Sequence, residues 1–250
     1  MLKKVYSRPK GLTETLMRYC PGCGHGIIHR TIAELLVELN IRERTVGIAP
    51  VGCAVFADEY FNCDMIQPAH GRGPAVATGL KRANPELIVF SYQGDGDLAA
   101  IGTAEIVHAA ARNENLTVIF VNNAIYGMTG GQLAPTTLPN MRSTTTPTGR
   151  DVKLAGNPIR VCELINAING PIYINRTSVH TPQWVLKTKK AIKKGFEIQI
   201  AKKGFSLIEV LAMCPTNWAM TSLESSQWIE DVMSKFYEPK LFRDLTKEEK

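Results

Sequence analysis

The sequence lacks any apolar run approaching the roughly 20 residues that a membrane-spanning helix needs. Behind its first basic residues it also lacks the apolar segment and the small-residue cleavage site of a secretory signal. We therefore expect a cytoplasmic protein without membrane association. Internal repeats and Gly/Ser-rich linkers are absent too, while 44% of the 250 residues are apolar. The sequence thus predicts a single domain over residues 1–250 with a substantial core.

The net charge is +6, from 29 basic and 23 acidic residues. A sizeable part of this excess lies near the N-terminus, at Lys3, Lys4, Arg8 and Lys10, and in the segment 187–203. Neither segment has interleaved aromatic residues or a nucleic-acid motif, so no nucleic-acid partner is expected. The basic segments indicate either a solvated helix face or a surface for an anionic partner or cofactor phosphate. The polar tail, about 238–250, is interpreted as an arm on a partner or as disordered.

Hydrophobic patterns that alternate between strand and helix predict an α/β fold with a doubly wound, mostly parallel sheet. Two near-continuous apolar strands, Glu86–Tyr92 and Leu116–Val121, flank a helix over Leu98–Asn113, as is typical of parallel strands covered on both faces. Pro135–Gly149 is rich in Thr and Pro and predicts a long loop or lid. The other predicted elements are helices at Ile27–Asn40, Gly73–Ala83, Val161–Ile168 and Thr181–Lys194, and strands at Thr45–Ala49, Pro171–Asn175 and Phe205–Met213.

Two polar turns follow neighbouring strands of this predicted sheet. Gly94-Asp95-Gly96 ends one strand, and Asn122-Asn123 ends the next after a complete helix. Parallel strands end at the same sheet edge, where ligands of such folds bind. A carboxylate and an amide oxygen can then meet on one hard cation, while glycines let the backbone approach a diphosphate. Each turn alone is more often a simple chain reversal, but together they predict a magnesium diphosphate site.

The chain carries six cysteines, which in a reducing compartment favour metal ligands, catalytic thiols or buried small side chains over disulfides. Cys20 and Cys23 form a CxxC pair between Pro and Gly, without the strand that would precede a thioredoxin-like redox pair. Cys53 and Cys214 each stand at the end of a predicted strand. Four thiolates suit either a 4Fe-4S cluster or structural zinc, and the residues alone do not decide between them. Cys63 and Cys162 are interpreted as ordinary buried thiols.

The paired turns resemble the thiamine diphosphate signature, which begins Gly-Asp-Gly and ends Asn-Asn. The run Val-Asn-Asn-Ala-Ile-Tyr-Gly-Met-Thr-Gly-Gly-Gln at 121–132 resembles, more narrowly, the β subunit of 2-oxoacid:ferredoxin oxidoreductases. The resemblance extends from about Tyr19 to Trp218. It includes Tyr-Cys-Pro-Gly-Cys-Gly-His at 19–25, Val-Gly-Cys at 51–53, His-Gly-Arg at 70–72 and Cys-Pro-Thr-Asn-Trp at 214–218.

The resemblance implies thiamine diphosphate, Mg²⁺ and a 4Fe-4S cluster as cofactors. It assigns Mg²⁺ to Asp95, Asn123 and the carbonyl group of Ile125, and it moves the choice for Cys20, Cys23, Cys53 and Cys214 from zinc to iron and sulfur. His25 and His29 are interpreted as packing or capping residues. The residues assigned to thiamine diphosphate are Val51, Gly52, Cys53, Ala54, His70, Arg72, Gly94, Gly96, Asp97, Gly127 and Met128.

The activity implied is CoA-dependent oxidative decarboxylation of a 2-oxoacid to acyl-CoA and CO₂, with electrons passed to ferredoxin. No residue matches the glutamate that thiamine enzymes use to polarise the cofactor, since Glu34 and Glu59 lie in no matching motif. The resemblance therefore implies a pyrimidine-binding α subunit that supplies it, together with a γ subunit and a ferredoxin-like δ subunit.

The substrate is the least constrained part of this interpretation. Relatives that act on 2-oxoglutarate commonly carry a lysine where this chain has Gly130, so an apolar substrate is favoured, 2-oxoisovalerate before pyruvate or 2-oxoglutarate. Two other functions stay open from sequence. One is a non-oxidative thiamine-dependent decarboxylase subunit with structural zinc, and the other is a nucleotide-binding module whose cysteines are structural.

Overall fold

The computed structural model describes residues 7–247, so Lys3, Lys4 and the end of the polar tail lie outside the described part. Its seven strands form one sheet in the order β2-β1-β3-β4-β6-β5-β7, parallel throughout except for the antiparallel pair of β5 and β7. The predicted mostly parallel α/β sheet is confirmed. The strands are β1 Thr45–Ile48, β2 Asp64–Ile66, β3 Ile88–Gly94, β4 Thr117–Asn122, β5 Tyr173–Ser178, β6 Ser206–Leu211 and β7 Leu241–Asp244.

Helices and short helical turns connect these strands. None of the helices within residues 7–247 is long and apolar enough to cross a membrane. The α-helices are α1 Gly24–Glu38, α2 Ala57–Tyr60, α3 Gly73–Ala83, α4 Thr103–Ala111, α5 Val152–Ala155, α6 Val161–Asn166, α7 Pro182–Ile200, α8 Pro215–Trp218, α9 Ser222–Trp228 and α10 Ser234–Phe236. The 3₁₀ turns are Arg42–Arg44, Cys53–Phe56 and Leu245–Lys247, and the π-helical turns are Asp97–Ile101 and Ile229–Met233.

The central strands separate two hydrophobic cores. Along β4, Ile119 and Val121 belong to the core that includes residues of α1 and α7, whereas Val118 and Phe120 belong to the core that includes residues of α3, α4 and α6. Successive side chains of a strand point to opposite faces, so an apolar run with no polar position requires cover on both sides. This arrangement leaves the carboxyl ends of β1, β3 and β4 free to carry a site.

One predicted helix is interrupted. The apolar pattern over 98–113 predicts a continuous helix, but the chain forms the π-helical turn Asp97–Ile101 and then α4. The amide of Gly102 donates to the carbonyl oxygen of Asp97 at 2.8 Å, five residues back. A Cβ at Gly102 would lie 2.6 Å from the carbonyl oxygen of Gly71. The segments at Gly71 and Gly102 therefore approach closely enough to require glycine at position 102, and the helical turn before it is widened. The hydrophobic pattern of the sequence contains no sign of this contact.

The described part of the C-terminal tail, which the sequence interprets as an arm on a partner or as disordered, packs against the sheet of this chain. Strand β7 pairs with β5, and the Arg243 guanidinium donates to the carbonyl oxygens of Ile168 and Asn166 at 2.6 Å each. A four-residue edge strand of mixed polarity carries almost no periodic signal, because only its pairing with β5 defines it.

The basic segment on α7 supports the solvated-face interpretation in part. Lys189 pairs with Glu34 of α1 at 2.8 Å and also with Glu38, and Lys202 lies beside Glu86 at 2.5 Å. These partly exposed pairs contribute little individually to stability, but they account for several of the positive charges without an external partner.

Candidate functional site

A cavity of about 210 Å³ opens at the carboxyl ends of β1, β3 and β4. Its walls are built by the segments that follow these strands and by the first turn of α1, as expected for ligand sites in open parallel sheets. The structure brings every residue predicted to bind Mg²⁺ or thiamine diphosphate to this cavity, with the exception of Arg72. The lining residues are His25, Val51, Gly52, Cys53, Ala54, His70, Gly94, Asp95, Gly96, Asp97, Ile101, Asn123, Ile125, Tyr126, Gly127, Met128 and Thr129.

Asp95 is a buried carboxylate of this wall, with 3% of its surface exposed. Its oxygens accept hydrogen bonds from the Asn123 amide at 3.2 Å and from the Thr136 hydroxyl. Among residues 7–247 no cationic side chain pairs with it, and burial raises the pKa of Asp95 to about 7. A buried carboxylate without a cationic partner is costly to ionise, and a divalent cation would remove that cost. The site therefore fits Mg²⁺.

The turn that carries Asn123 is stabilised by hydrogen bonds of the preceding residue, Asn122. The Asn122 side chain accepts from the Ala124 amide at 3.1 Å and donates to Glu209 at 2.8 Å. Glu209 in turn pairs with the fully buried Arg176 at 2.9 Å. Because Ala124 has φ 59, in the left-handed region, the turn needs such support. It places Asn123 and Ile125 on the same wall as Asp95.

His70 is oriented by Asp97. The imidazole Nδ1 and the amide of Gly71 both lie 2.6 Å from one oxygen of the Asp97 carboxylate, and Gln93 donates to the other oxygen. Asp97 lines the cavity as predicted, but its carboxylate oxygens are engaged by the protein. It therefore acts on a ligand mainly through the position of His70.

Arg72, which the resemblance also assigns to the cofactor, does not line the cavity in this structure. Its half-exposed side chain forms an ion pair with Glu105 of α4, a largely buried carboxylate. This pairing holds the guanidinium against α4. The ion pair thereby links the loop that carries His70 to α4.

Gly94 and Gly96, both in the cavity wall, have different structural roles. A Cβ at Gly94 would meet no atom within 4 Å, so the absent side chain leaves open space that a ligand can enter. A Cβ at Gly96 would lie 2.6 Å from Cε1 of Tyr126, so this glycine admits the tyrosine ring.

Sequence reasoning missed four lining residues. Tyr126 and Thr129 directly adjoin the assigned Gly127 and Met128, so that adjacency was a usable signal. Ile101 reaches the cavity only through the π-helical turn. His25 was interpreted as a packing or capping residue, yet it lines the cavity. Its neighbour His29 is fully buried and does pack among aromatic rings.

The four cysteines predicted to act together, Cys20, Cys23, Cys53 and Cys214, lie close enough to interact electrostatically. All six cysteines are free thiols. The CxxC segment is tied to the end of β6, because the amide of Gly24 donates to the carbonyl oxygen of Met213 at 3.1 Å. A Cβ at Gly127 would lie 3.3 Å from Sγ of Cys53 and 3.7 Å from Sγ of Cys214. Asn217 donates to the carbonyl oxygen of Gly127 at 2.9 Å and to Sγ of Cys214 at 3.3 Å. The cysteine group and the cavity wall thus share one loop.

The thiols of this group favour their protonated form. Burial raises the pKa of Cys23 to about 12 and that of Cys53 to about 11, and the neighbouring cysteines add to both shifts. Burial also raises the pKa of Cys214. Within the described chain, no three His, Cys, Asp or Glu side chains form a group suited to a single metal ion. The four thiols therefore lie near one another but are not arranged to bind a single metal ion.

Comparisons with known proteins agree with this geometry. Residues 50–210 match the family of the thiamine pyrophosphate enzyme C-terminal TPP binding domain. The chain is similar to ketoisovalerate oxidoreductase subunit VorA of Methanothermobacter thermautotrophicus, with 48% identity over 99% of this chain and 52% of that protein. It therefore spans about half the length of this relative. It is also similar to 2-oxoglutarate synthase subunit KorB of Methanocaldococcus jannaschii, with 42% identity over 79% of this chain and 69% of that protein.

A solved structure shares the fold. It is the 2-oxoglutarate:ferredoxin oxidoreductase from Magnetococcus marinus with 2-oxoglutarate, coenzyme A and succinyl-CoA bound. The TM-score is 0.77 at 29% identity, covering 92% of this chain and 75% of that one. The predicted Gly-Asp-Gly and Asn-Asn turns lie within the matched TPP-binding region, and both line the cavity. The chain belongs to the thiamine-diphosphate-binding β-subunit family of the 2-oxoacid:ferredoxin oxidoreductases.

Proposed function

We propose that this chain is the thiamine-diphosphate-binding part of an enzyme that oxidatively decarboxylates a 2-oxoacid to acyl-CoA and CO₂ and reduces ferredoxin. One observation carries the proposal. Cys53 lines the cavity and also lies with Cys214 beside Gly127, so one loop joins the cofactor wall to the cysteine group. An enzyme that splits an electron pair into single electrons needs its carbon chemistry and its electron acceptor this close together.

Named residues would hold each bound group. Asp95 and Asn123, with the carbonyl group of Ile125, would hold Mg²⁺, and Cys20, Cys23, Cys53 and Cys214 would hold a 4Fe-4S cluster. When bound, thiamine diphosphate supplies the nucleophilic carbon that attacks the 2-oxo group, and the cluster accepts electrons singly.

The chain's own residues prepare the site. Asp97 orients His70, and Gly94 leaves room for the diphosphate.

The active site is completed by a partner in this proposal. At about 210 Å³ the cavity is smaller than the roughly 300–1,000 Å³ of sites that enclose a drug-sized ligand. Neither Glu34 nor Glu59 lines it, and each carboxylate pairs with an arginine, Arg30 at 2.8 Å and Arg18 at 3.0 Å. An α subunit would therefore supply the missing glutamate, with γ and ferredoxin-like δ subunits completing a cytoplasmic complex.

The function is tested by purifying the complex without oxygen and measuring ferredoxin reduction with CoA and several 2-oxoacids. We expect bound thiamine diphosphate, iron in the β subunit and acyl-CoA formation coupled to reduced ferredoxin. A complex that releases CO₂ but reduces no acceptor, and whose β subunit holds zinc instead of iron, would contradict the proposal and indicate the non-oxidative decarboxylase.

The complex is expected to prefer 2-oxoisovalerate to 2-oxoglutarate in kcat/KM. Among the described residues that line the cavity there is no lysine or arginine, so this chain offers no charge to a second substrate carboxylate. The matching relative named for ketoisovalerate supports the same choice. Steady-state kinetics under anaerobic conditions measures the ratio, and a higher kcat/KM with 2-oxoglutarate would contradict it.

A lysine introduced at position 130 is a poor test of this specificity. Gly130 has φ 105, a conformation that residues with a side chain rarely adopt, so the substitution would strain the loop. Thr129 lines the cavity and has no such strain. We therefore expect Thr129→Lys, but not the matched control Thr129→Met, to shift the ratio towards 2-oxoglutarate.

Gly94→Ala is expected to weaken thiamine diphosphate binding about tenfold or more, because the new methyl group occupies the space that the diphosphate needs. The folded chain should be little affected, since that methyl group meets no protein atom within 4 Å. Gly79→Ala is the matched control, because Gly79 is equally open but lies on the exposed face of α3. Calorimetric titration with thiamine diphosphate and Mg²⁺ measures both variants, and equal affinities would contradict the assigned role.

A further inference from the structure

His25 is a cavity residue without a role in the proposed function so far. It stands in the first turn of α1, is 3% exposed, and stacks on Tyr19 with ring centroids 4.9 Å apart and an interplanar angle of 13°. The hydroxyl of Tyr19 donates to the carbonyl oxygen of Cys53 at 2.9 Å. His25 therefore lies on the cysteine side of the cavity, on a different element from the turns that carry Asp95 and Asn123.

The hydrogen bond between His25 and Tyr92 determines which ring nitrogen carries the proton. Nδ1 of His25 lies 2.6 Å from the Tyr92 hydroxyl, and Tyr92 is fully buried. In the part of the chain that the structure describes, this nitrogen is the one acceptor for the Tyr92 hydroxyl hydrogen. A protonated Nδ1 would leave that hydrogen without a partner inside the core, which is costly. The ring is therefore neutral, with its hydrogen on Nε2.

This second nitrogen is available to a ligand. Within residues 7–247 Nε2 of His25 has no hydrogen-bond partner, and it is not among the fully buried unpartnered atoms, whereas Nδ1 of His29 is. Since His25 lines the cavity and is otherwise buried, the access to Nε2 is from the cavity. Tyr92 thus holds a neutral hydrogen-bond donor facing the space where a substrate would react.

We propose that His25 donates a hydrogen bond from Nε2 to an oxygen of the 2-oxoacid, and that Tyr92 is the positioning residue that fixes this donor. The inference rests on the proposed function and adds a substrate contact to it. The diphosphate would be held with the cation at Asp95 and Asn123, which leaves His25 for the reacting end of the cavity. Because no lysine or arginine among the described residues lines the cavity, a neutral donor is of particular value to an anionic substrate there.

Variants of His25 distinguish a donor from a packing residue. Glutamine places its amide nitrogen near the position of Nε2, whereas asparagine places its own near Nδ1. In the assembled complex we expect His25→Gln to retain most of the kcat/KM for 2-oxoisovalerate. His25→Asn should lose about 10- to 100-fold, the effect of one hydrogen bond to a charged group. Thiamine diphosphate affinity and iron content should match the wild-type complex in both variants.

Two further measurements keep the test independent of folding. His25→Phe combined with Tyr92→Phe leaves no buried hydroxyl without a partner, and it should show the same loss as His25→Asn. In the wild-type complex, ¹⁵N NMR of labelled histidine should show the Nε2–H tautomer for His25, and Tyr92→Phe should shift the tautomer balance.

The outcomes separate the two proposals. Turnover of 2-oxoacids by the wild-type complex decides the proposed function by itself. If the wild-type complex is active and His25→Asn or the double variant equals it in kcat/KM, His25 is not a substrate contact. An Nδ1–H tautomer in the wild-type spectrum would overturn the role of Tyr92 and the donor assignment with it.

Discussion

Asp95→Asn is expected to weaken the Mg²⁺-dependent binding of thiamine diphosphate by roughly 100-fold or more, because the cation loses the one charged ligand among the three proposed. Asparagine has the same shape: its single amide oxygen can still accept from the Asn123 amide, and the Thr136 hydroxyl can turn to accept from the new amide nitrogen. The substitution also removes a buried carboxylate that has no cationic partner among residues 7–247. The variant should therefore stay folded, so that a loss of affinity reports on the cation.

Calorimetric titration with thiamine diphosphate at several Mg²⁺ concentrations measures this effect. The wild-type affinity should rise with Mg²⁺, and the affinity of Asp95→Asn should not. Asp151→Asn is a suitable control, since Asp151 is exposed, caps the short helix α5 and does not line the cavity. An Asp95→Asn protein with wild-type affinity and Mg²⁺ dependence would refute the cation site.

Cys53→Ser and Cys214→Ser should each lose most of the iron that the wild-type subunit carries when it is purified without oxygen. A serine hydroxyl is a much weaker ligand to iron than a thiolate, and each of these sulfurs lies beside Gly127 at the centre of the group. The same result is expected for Cys20→Ser and Cys23→Ser. Iron and sulfide analysis, with the visible absorption spectrum, measures the loss.

Cys63→Ser is the matched control for Cys53→Ser. The two thiols are similarly half-buried, but Cys63 lies against the Met65 sulfur at 3.8 Å and does not line the cavity. Its iron content should equal that of the wild type, as should that of Cys162→Ala, whose sulfur is buried in the other core. Loss of iron in Cys63→Ser together with retention in Cys214→Ser would overturn the ligand assignment.

The ends of β3 and β4 show why much of the site was predictable. Both strands carry near-continuous apolar runs, 87–90 and 118–121, which are typical of a parallel sheet covered on both faces, and parallel strands end at the same edge. Asp95 and Asn123 follow those ends directly, so their meeting required no knowledge of side-chain packing. The glycines on either side of Asp95 indicated where a ligand could approach the backbone, and Gly94 indeed leaves such space.

Arg72 and His25 show where this reasoning stops. Both residues belong to the motifs that carry the resemblance, yet Arg72 pairs with Glu105 and does not line the cavity, whereas His25 contacts Tyr92 and does line it. Glu105 is 33 residues from Arg72 along the chain, and Tyr92 is 67 residues from His25. No local pattern records a partner at such a distance.

The sequence by itself determined the sheet type, the edge that carries the site and the chemical groups placed there, because these depend on alternation, strand ends and local residue type. Only the tertiary structure decided which residues far from these strand ends join the same wall. The widened turn at Asp97–Ile101, the approach of Cys53 and Cys214 to Gly127, and the pairing of β7 with β5 all depend on contacts between distant segments. Such contacts form only when the cores on both faces of the sheet have packed. The strand ends therefore position the first residues of the site, and core packing brings the remaining residues to them.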